Sequence, residues 1–570
     1  MTCRPRPTPT TSDPLLYAVS GLLTALICGP IFGGHLLFRD AVAVPRFSLT
    51  ASAFGIDGTA PRAVPQDALL ALGSRVIDGG LLVAGSTALI LFAAGVGYGR
   101  LARRLVPAAG TPGAVAAATL GIWNPFVAER LLQGHWSLLA GYAALGWVVC
   151  TTLDVVDRPD WRTWTLLAGV FAAGGLTPTG SLLVLVAAGT TAVAARLPLR
   201  RSAIGFLCWL VTASPWLVGA VFSSGVASSG GAAAFALRSE PWLGPVGTAL
   251  GLGGIWNADA VPGSRTSPWA LVATLALLTA VGVGTWWLLR RTPPDRTITA
   301  LGVLAGTAVV LVMLAATPTG IAAMDALLAH IPGAGLLRDA QKYLALAVPF
   351  ATVAAAAATV ALRRLVPAAF ATVAVAALIV APLPDLAWGV GGKIRPATFP
   401  ADYARVTALI GDDRTGGDGA VALWPTDAVR HLSWTRGPSL TPLPRMLNAP
   451  VVVSGALTVD GQTVDAPTGR TAEIVGTLLD GGDPRALAGL GVGWVVVEEA
   501  DPPSALAAAT PVFTGDHLRV YRIDDVEPPP TPGITAWAAA LLTFALWMGA
   551  IVAGAAGRLR YRGSPWAQGS

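Results

Sequence analysis

Residues 14–47 read PLLYAVSGLLTALICGPIFGGHLLFRDAVAVPRF, and from Pro14 to Phe38 no acid, lysine or arginine interrupts them. A helix needs about 20 consecutive apolar residues to cross the hydrocarbon of a bilayer. The stretch therefore reads as a membrane span ending near Gly34, with Arg39 and Asp40 as the first charges the chain meets on leaving it. Arg4 and Arg6 precede the run as they would in a signal peptide, but no small-x-small cleavage site stands before His35, so a retained helix is expected.

Moved along the rest of the 570-residue chain, the same ruler gives about twelve candidate spans, near 14–34, 79–99, 106–123, 136–156, 163–177, 180–196, 203–222, 268–289, 299–316, 342–362, 366–384 and 534–556. The fifth and sixth are short, and their join at LTPTGS reads as a tight hairpin or a re-entrant turn. Composition agrees with a membrane setting. Apolar residues are 54% of the chain, charged residues 12%, and the mean hydropathy is +0.62, a balance that polar surface could not cover in water. The net charge of +6 does not point to nucleic acid, because the basic residues sit in small clusters between apolar runs and not on one face. Cys3, Cys28, Cys150 and Cys208 are scattered, with neither a disulfide framework nor a metal-ligand spacing.

The basic residues set the orientation. Arg4 and Arg6, Arg100/Arg103/Arg104, Arg158 and Arg162, Arg196/Arg200/Arg201, Arg290/Arg291/Arg296, Arg363/Arg364 and Arg558/Arg560/Arg562 fall in alternate gaps. Short arginine-rich loops stay in the cytoplasm, so both termini are expected there, in a multi-pass plasma-membrane protein. The opposite gaps are long: 35–78, 223–267, 317–341 and 385–532, with a shorter one at 124–135. In the last long gap GAVALWP, APVVVSGAL, VGWVVVEEA and LRVYRID read as strands, and TAEIVGTLLDG and DPRALAGLG as short helices. The expected fold is mainly α. A polytopic helical bundle covers 1–384, a small extracytoplasmic α/β domain covers 385–532, and a final span with a basic tail covers 533–570, entered through the Pro-rich DVEPPPTPG.

Charges are costly inside a bilayer and the spans nearly avoid them, so chemistry is sought at their outer ends. Asp40 lies about 9 Å beyond Gly34 at 1.5 Å per residue, at the depth of a lipid headgroup, where a carboxylate can take a proton from an attacking hydroxyl. The bland alternative is an ion pair with Arg39 or a helix-end cap. In GIWNPFVAERLLQGHW, Asn124-Pro125 is a good helix start, and Trp123 and Trp136 resemble interface anchors. Glu129, Arg130 and His135 on that turn either hold a polar head group or only anchor the loop. In GLLRDAQKYLAL, Arg338 and Lys342 are four apart and share a helical face, where cations at a helix start favour an arriving phosphate. Asp339 could instead neutralise Lys342 internally. No Walker loop, Rossmann fingerprint, HExxH or nucleophile elbow is present.

Many spans, an acid just past the first of them and a soluble domain near the C-terminus together resemble the GT-C class of membrane glycosyltransferases. FRDAVAVPRF, WNPFVAERLLQGHW and LLRDAQKYLAL are also similar to segments of multi-spanning actinobacterial proteins. The resemblance implies a sugar carried by a polyprenyl phosphate, an envelope glycan or lipid as acceptor, and a first-loop carboxylate as base, which here is Asp40. It departs from the commoner pattern in having a lone Asp where an acidic pair stands, so no cofactor is expected and metal use has no support. Arg39, Glu129, Arg130, His135, Arg338 and Lys342 would bind substrate. Membrane lipids are the expected surroundings and nucleic acid is not a partner. A lipid or glycolipid transporter and a non-catalytic envelope scaffold are the alternatives. A transporter calls for ionisable residues near the midplane of its spans, and these spans hold almost none.

Overall fold

The structure, a computed structural model, describes residues 13–223, 231–411, 419–459 and 462–562. Arg4 and Arg6 lie outside the described residues, as do the side chains of Arg558, Arg560 and Arg562. All twelve stretches expected to span are helical, but among the described residues eight helices are long and apolar enough to cross a bilayer, or nine if a pair bent by 74° at 368–392 is one span. The others are short. Gly110–Ile122 and Ala368–Val380 have 13 residues each, Trp161–Gly174 has 14 and Pro178–Ala194 has 17. The LTPTGS join is a tight hairpin, with Thr177 Oγ1 capping the second helix at the Gly180 N–H, 3.1 Å.

Burial sorts the helices into inner and outer ones. The span at 340–362 is 83% buried while the last, at 534–557, is 22% buried. The inner position follows from its sequence, because Ala354 to Ala358 are five small residues in a row that let neighbouring backbones close in. The closest approach is at Gly284, where a Cβ would lie 1.7 Å from the Ala354 carbonyl oxygen.

The two ends of the bundle differ in chemistry. At one end Arg103 pairs with Asp13 at 3.0 Å, Arg104 pairs with Asp154 and, at 2.7 Å, with Asp157, and Arg363 reaches the Ala108 carbonyl. These contacts bring Arg103, Arg104 and Arg363 together with the starts and ends of five helices at one end of the bundle. The opposite end carries residues 35–78, 124–135, 231–268 and 317–341, with a sheet lying on them.

That sheet has five strands in the order Phe513–Thr514, Leu518–Arg522, Val492–Glu498, Ala420–Trp424, Val451–Val452. The 420–424 strand runs parallel to both neighbours, and 518–522 runs antiparallel to 492–498. Side chains alternate between faces. Val421, Leu423, Trp494, Val496 and Val520 join the core shared with the bundle, while Ala422, Val495, Val497 and Tyr521 pack on the Gly469–Asp480 and Pro484–Gly489 helices. A strand buried on both faces reads as a continuous apolar run, which is why VGWVVVE is conspicuous. The sheet is not held by its terminal linkers alone. Arg39 bridges to Ser439, the Ser48 N–H donates to the Arg445 carbonyl at 2.8 Å, and Arg445 pairs with Asp67 at 3.0 Å.

Candidate functional site

The site is built around the Pro125–Gln133 helix. Asn124 Oδ1 accepts the Val127 N–H at 3.1 Å, Pro125 occupies the first turn, and Gly134 ends the helix at φ +86°. Glycine is required at 134 for a second reason: a Cβ there would lie 2.3 Å from the Ala41 nitrogen. The 38–41 turn can therefore rest against the helix end, where the Asp40 N–H donates to the Gln133 carbonyl at 3.2 Å. All nine residues of this helix are buried, and Trp123 and Trp136 are buried too, the Trp123 indole donating to the Leu383 carbonyl at 2.9 Å. The expected interfacial anchor is in fact an interior helix roofed by the outer loops.

Asp40 is partly open, its side chain 37% exposed. Its Oδ2 accepts from His135 Nε2 at 2.8 Å and from Gln133 Nε2 at 3.1 Å, and among the described residues no hydrogen bond falls on Oδ1. On the far side of the imidazole, Arg130 Nη1 lies 3.0 Å from His135 Nδ1. A guanidinium can only donate, so Nδ1 accepts and the ring proton sits on Nε2, facing Asp40. Burial lowers the His135 pKa and the cations Arg130 and Lys342 reinforce that, against the pull of Asp40; the imidazole is neutral at pH 7. Burial would raise the Asp40 carboxyl, but the His135 hydrogen bond, Gln133 and Lys342 outweigh it and leave it below the ordinary carboxylate value.

Behind this pair stands a buried ionic layer. Arg130 Nη1 and Nη2 grip Asp339 Oδ2 and Oδ1 at 2.7 and 3.2 Å, and Nη2 also reaches Gln341. Lys342 Nζ is 3.5 Å from Asp339 Oδ2, its side chain 24% exposed. Burial works to raise the Asp339 carboxyl, and Arg130 and Lys342 overcome it to hold it well below the carboxylate range. Gln341 Nε2 donates to Glu129 Oε2 at 3.1 Å, and Glu129 also accepts the Gly254 and Ile255 N–H groups at 3.0 and 3.1 Å. Burial and the nearby Glu240 push Glu129 up to about 8, against Arg265 and those two N–H groups.

The structure thus brings Asp40, Glu129, Arg130, His135 and Lys342 into one network, and it leaves two expected members out. Arg39 does not pair with Asp40; at φ +49° its guanidinium turns to the Leu132 carbonyl and, at 2.8 Å, to the Asp259 carbonyl. Arg338 does not share a face with Lys342, because the short helix Gly335–Arg338 stops before a 3₁₀ segment begins at Ala340. Its guanidinium grips Asp465 with two bonds, 2.7 and 2.8 Å. Asp339 does partner Lys342, the internal neutralisation weighed above. Sequence reasoning gave no role to Gln133, Gln341 or Asn257, whose Nδ2 donates to Gln133 Oε1 at 2.8 Å. The available signal for Gln341 was its place in RDAQK, between charges already singled out. Among the described residues no three His, Cys, Asp or Glu side chains gather as a metal-binding set.

No protein-family model matches the chain, and no curated protein matches it in sequence. Among solved structures, the arabinofuranosyltransferase AftD from mycobacteria superposes with a TM-score of 0.54 at 16% identity, over 93% of this chain and 41% of that one. A second structure of AftD, of a mutant, gives 0.53 at 17% identity, over 90% and 42%. This chain therefore spans 41% of the length of AftD at most in the first superposition, and at these identities the likeness concerns the fold. What the two chains share is the fold, a multi-pass helical bundle with an α/β sheet at one end.

Proposed function

We propose that the chain is a plasma-membrane glycosyltransferase that moves a sugar from a polyprenyl-phosphate donor to an envelope glycan or lipid. The site faces outward and both termini lie in the cytoplasm. The observation that carries this reading is the Asp40–His135–Arg130–Asp339–Lys342 network at the end of the bundle away from the arginine clusters. There a partly open carboxylate with an unbonded oxygen stands beside a partly open ammonium.

In the proposed reaction Asp40 Oδ1 takes the proton of the acceptor hydroxyl as its oxygen attacks the anomeric carbon. The bond from that carbon to the donor phosphate breaks, and the phosphate leaves with the electron pair. Lys342 meets the charge that grows on the departing phosphate, an interaction stronger in the transition state than before it. Arg130 does not touch substrate in this scheme. It is buried, and it positions His135 and Asp339, so that the imidazole offers only an N–H to Asp40.

The test is transfer by the purified chain in lipid nanodiscs, supplied with synthetic polyprenyl-phosphate pentoses and hexoses and a panel of glycan and glycolipid acceptors. A new glycosidic product that disappears in Asp40→Asn, with the variant still monodisperse, is the expected result. Undiminished transfer by Asp40→Asn would remove the assignment.

A further inference from the structure

Residues 241–256, PWLGPVGTALGLGGIW, form a run without a single charge inside a long outer loop. Within it the helix Gly244–Leu250 has only 7 residues, far short of the ~20 that a span requires. Trp242, Val246 and Leu250 recur every four residues and are 71%, 53% and 41% exposed, while Thr248 and Ala249 on the opposite side are buried. Trp242 is held at φ +69°, a conformation bulky residues rarely adopt, which presents its indole outward.

The segment leans on membrane-spanning helices. It packs against Trp269–Leu289 and Arg296–Ala315, and a Cβ on Gly251 would lie 2.8 Å from Thr274 Oγ1. Thr274 is in the second turn of its helix, roughly 8 Å below the helix start at 1.5 Å per residue. The exposed stripe is continuous in kind with the lipid-facing surface beside it, where Trp269, Leu271, Val272 and Leu275 are 42–55% exposed.

Backbone in hydrocarbon must have its polar groups satisfied within the protein, and seven N–H groups of this stretch have such partners. The N–H groups of Leu243, Gly247, Gly251, Leu252 and Gly253 donate to carbonyls of Glu240, Leu243, Gly247, Ala249 and Thr248. Those of Gly254 and Ile255 go to Glu129, and the Gly253 carbonyl accepts from Gln341. The one acid at its head, Glu240, is fully buried against Arg265, which also donates to Thr274 at 3.0 Å.

We propose that residues 241–252 are a re-entrant segment embedded in the bilayer leaflet on the site's side, with Trp242, Val246 and Leu250 against lipid acyl chains. The lipid-facing element and the turn that holds Glu129 are then one unbroken stretch, so the floor of the site is fixed from the membrane side.

The experiment uses the full chain in nanodiscs, with its native cysteines replaced by alanine and one spin label placed at Trp242→Cys, Val246→Cys or Leu250→Cys. Asp57→Cys, in an exposed turn, serves as the aqueous control, and the elution profile checks that each variant is folded. Collision with dissolved oxygen severalfold above collision with a water-soluble nickel chelate at all three positions, reversed at 57, is expected. Ready access of the chelate at 242 and 246 would overturn the proposal, as would protection from both reagents, the mark of a protein partner such as a second copy. None of these outcomes depends on glycosyl transfer.

Discussion

At the scale of single residues, the tautomer of His135 determines what Asp40 can do. Because Arg130 can only donate, the imidazole is kept neutral with its proton toward Asp40, and the carboxylate gains a donor without a competing acid. Its pKa is depressed, so the basic form is present through the neutral range and is lost only as pH falls through that lowered value. Transfer by the wild type should therefore show an acid limb where Asp40 is protonated. His135→Ala removes one of the two donors to Asp40, and the acid limb of its rate profile should move to higher pH. An acid limb that does not move would mean that the imidazole has no part in setting the base. Lys342→Ala should lower kcat/KM for the donor more than tenfold if one charge-assisted contact of about 1.5–3 kcal/mol is lost, whereas Arg338→Ala should leave it within twofold, because Arg338 is engaged with Asp465.

At the scale of elements, the 125–133 helix is the frame on which everything else hangs. Asp339→Ala would leave the Arg130 guanidinium, which is fully buried, without its counter-charge, a loss that costs about 3–5 kcal/mol in comparable pairs. Its thermal midpoint in detergent should fall clearly below that of Lys342→Ala, whose removed charge is partly exposed. Gly134→Ala should be nearly as damaging, since the position has φ +86° and no room beside Ala41. This helix was legible as a helix, from its Asn-Pro start and its glycine, but not as an interior one. What buries it comes from residues 37–42, 253–257 and 339–341, which no local pattern ties to it. For the same reason Trp123 and Trp136 read as interface anchors, since an indole looks alike in sequence whether its N–H meets water or, as here for Trp123, the carbonyl of Leu383.

At the scale of the whole molecule, four of the five strands of the sheet were plain in the sequence, because they are runs of β-branched and aromatic residues, while the two-residue strand Phe513–Thr514 was not. The number of true spans was not, since helices of 13 to 17 residues such as Gly110–Ile122 and Pro178–Ala194 are held by longer neighbours and need not cross the bilayer alone. Nor was the docking of the sheet domain, which depends on contacts such as Arg338 to Asp465, 127 positions apart. Asp465 follows the hairpin of Leu457–Val459 and Gln462–Val464 and is also paired with Arg62 of the first outer loop at 3.1 Å. Burial would raise its carboxyl, yet Arg338 and Arg62 bring it down to about 2. A depressed carboxylate stabilises the docked state above its ordinary pKa and loses that contribution as pH falls toward the lowered one. The shift corresponds to about 2 kcal/mol, an order-of-magnitude figure for a side chain 13% exposed. Asp465→Ala should therefore speed amide hydrogen exchange across 457–464 by roughly tenfold or more at pH 7, with no change in the 125–135 region where the site is built. The acceleration should vanish when wild type and variant are compared near pH 2, where the carboxyl is losing its charge. Equal exchange in the two proteins at pH 7 would show that the apolar contacts of the sheet hold it in place without the arginine pair.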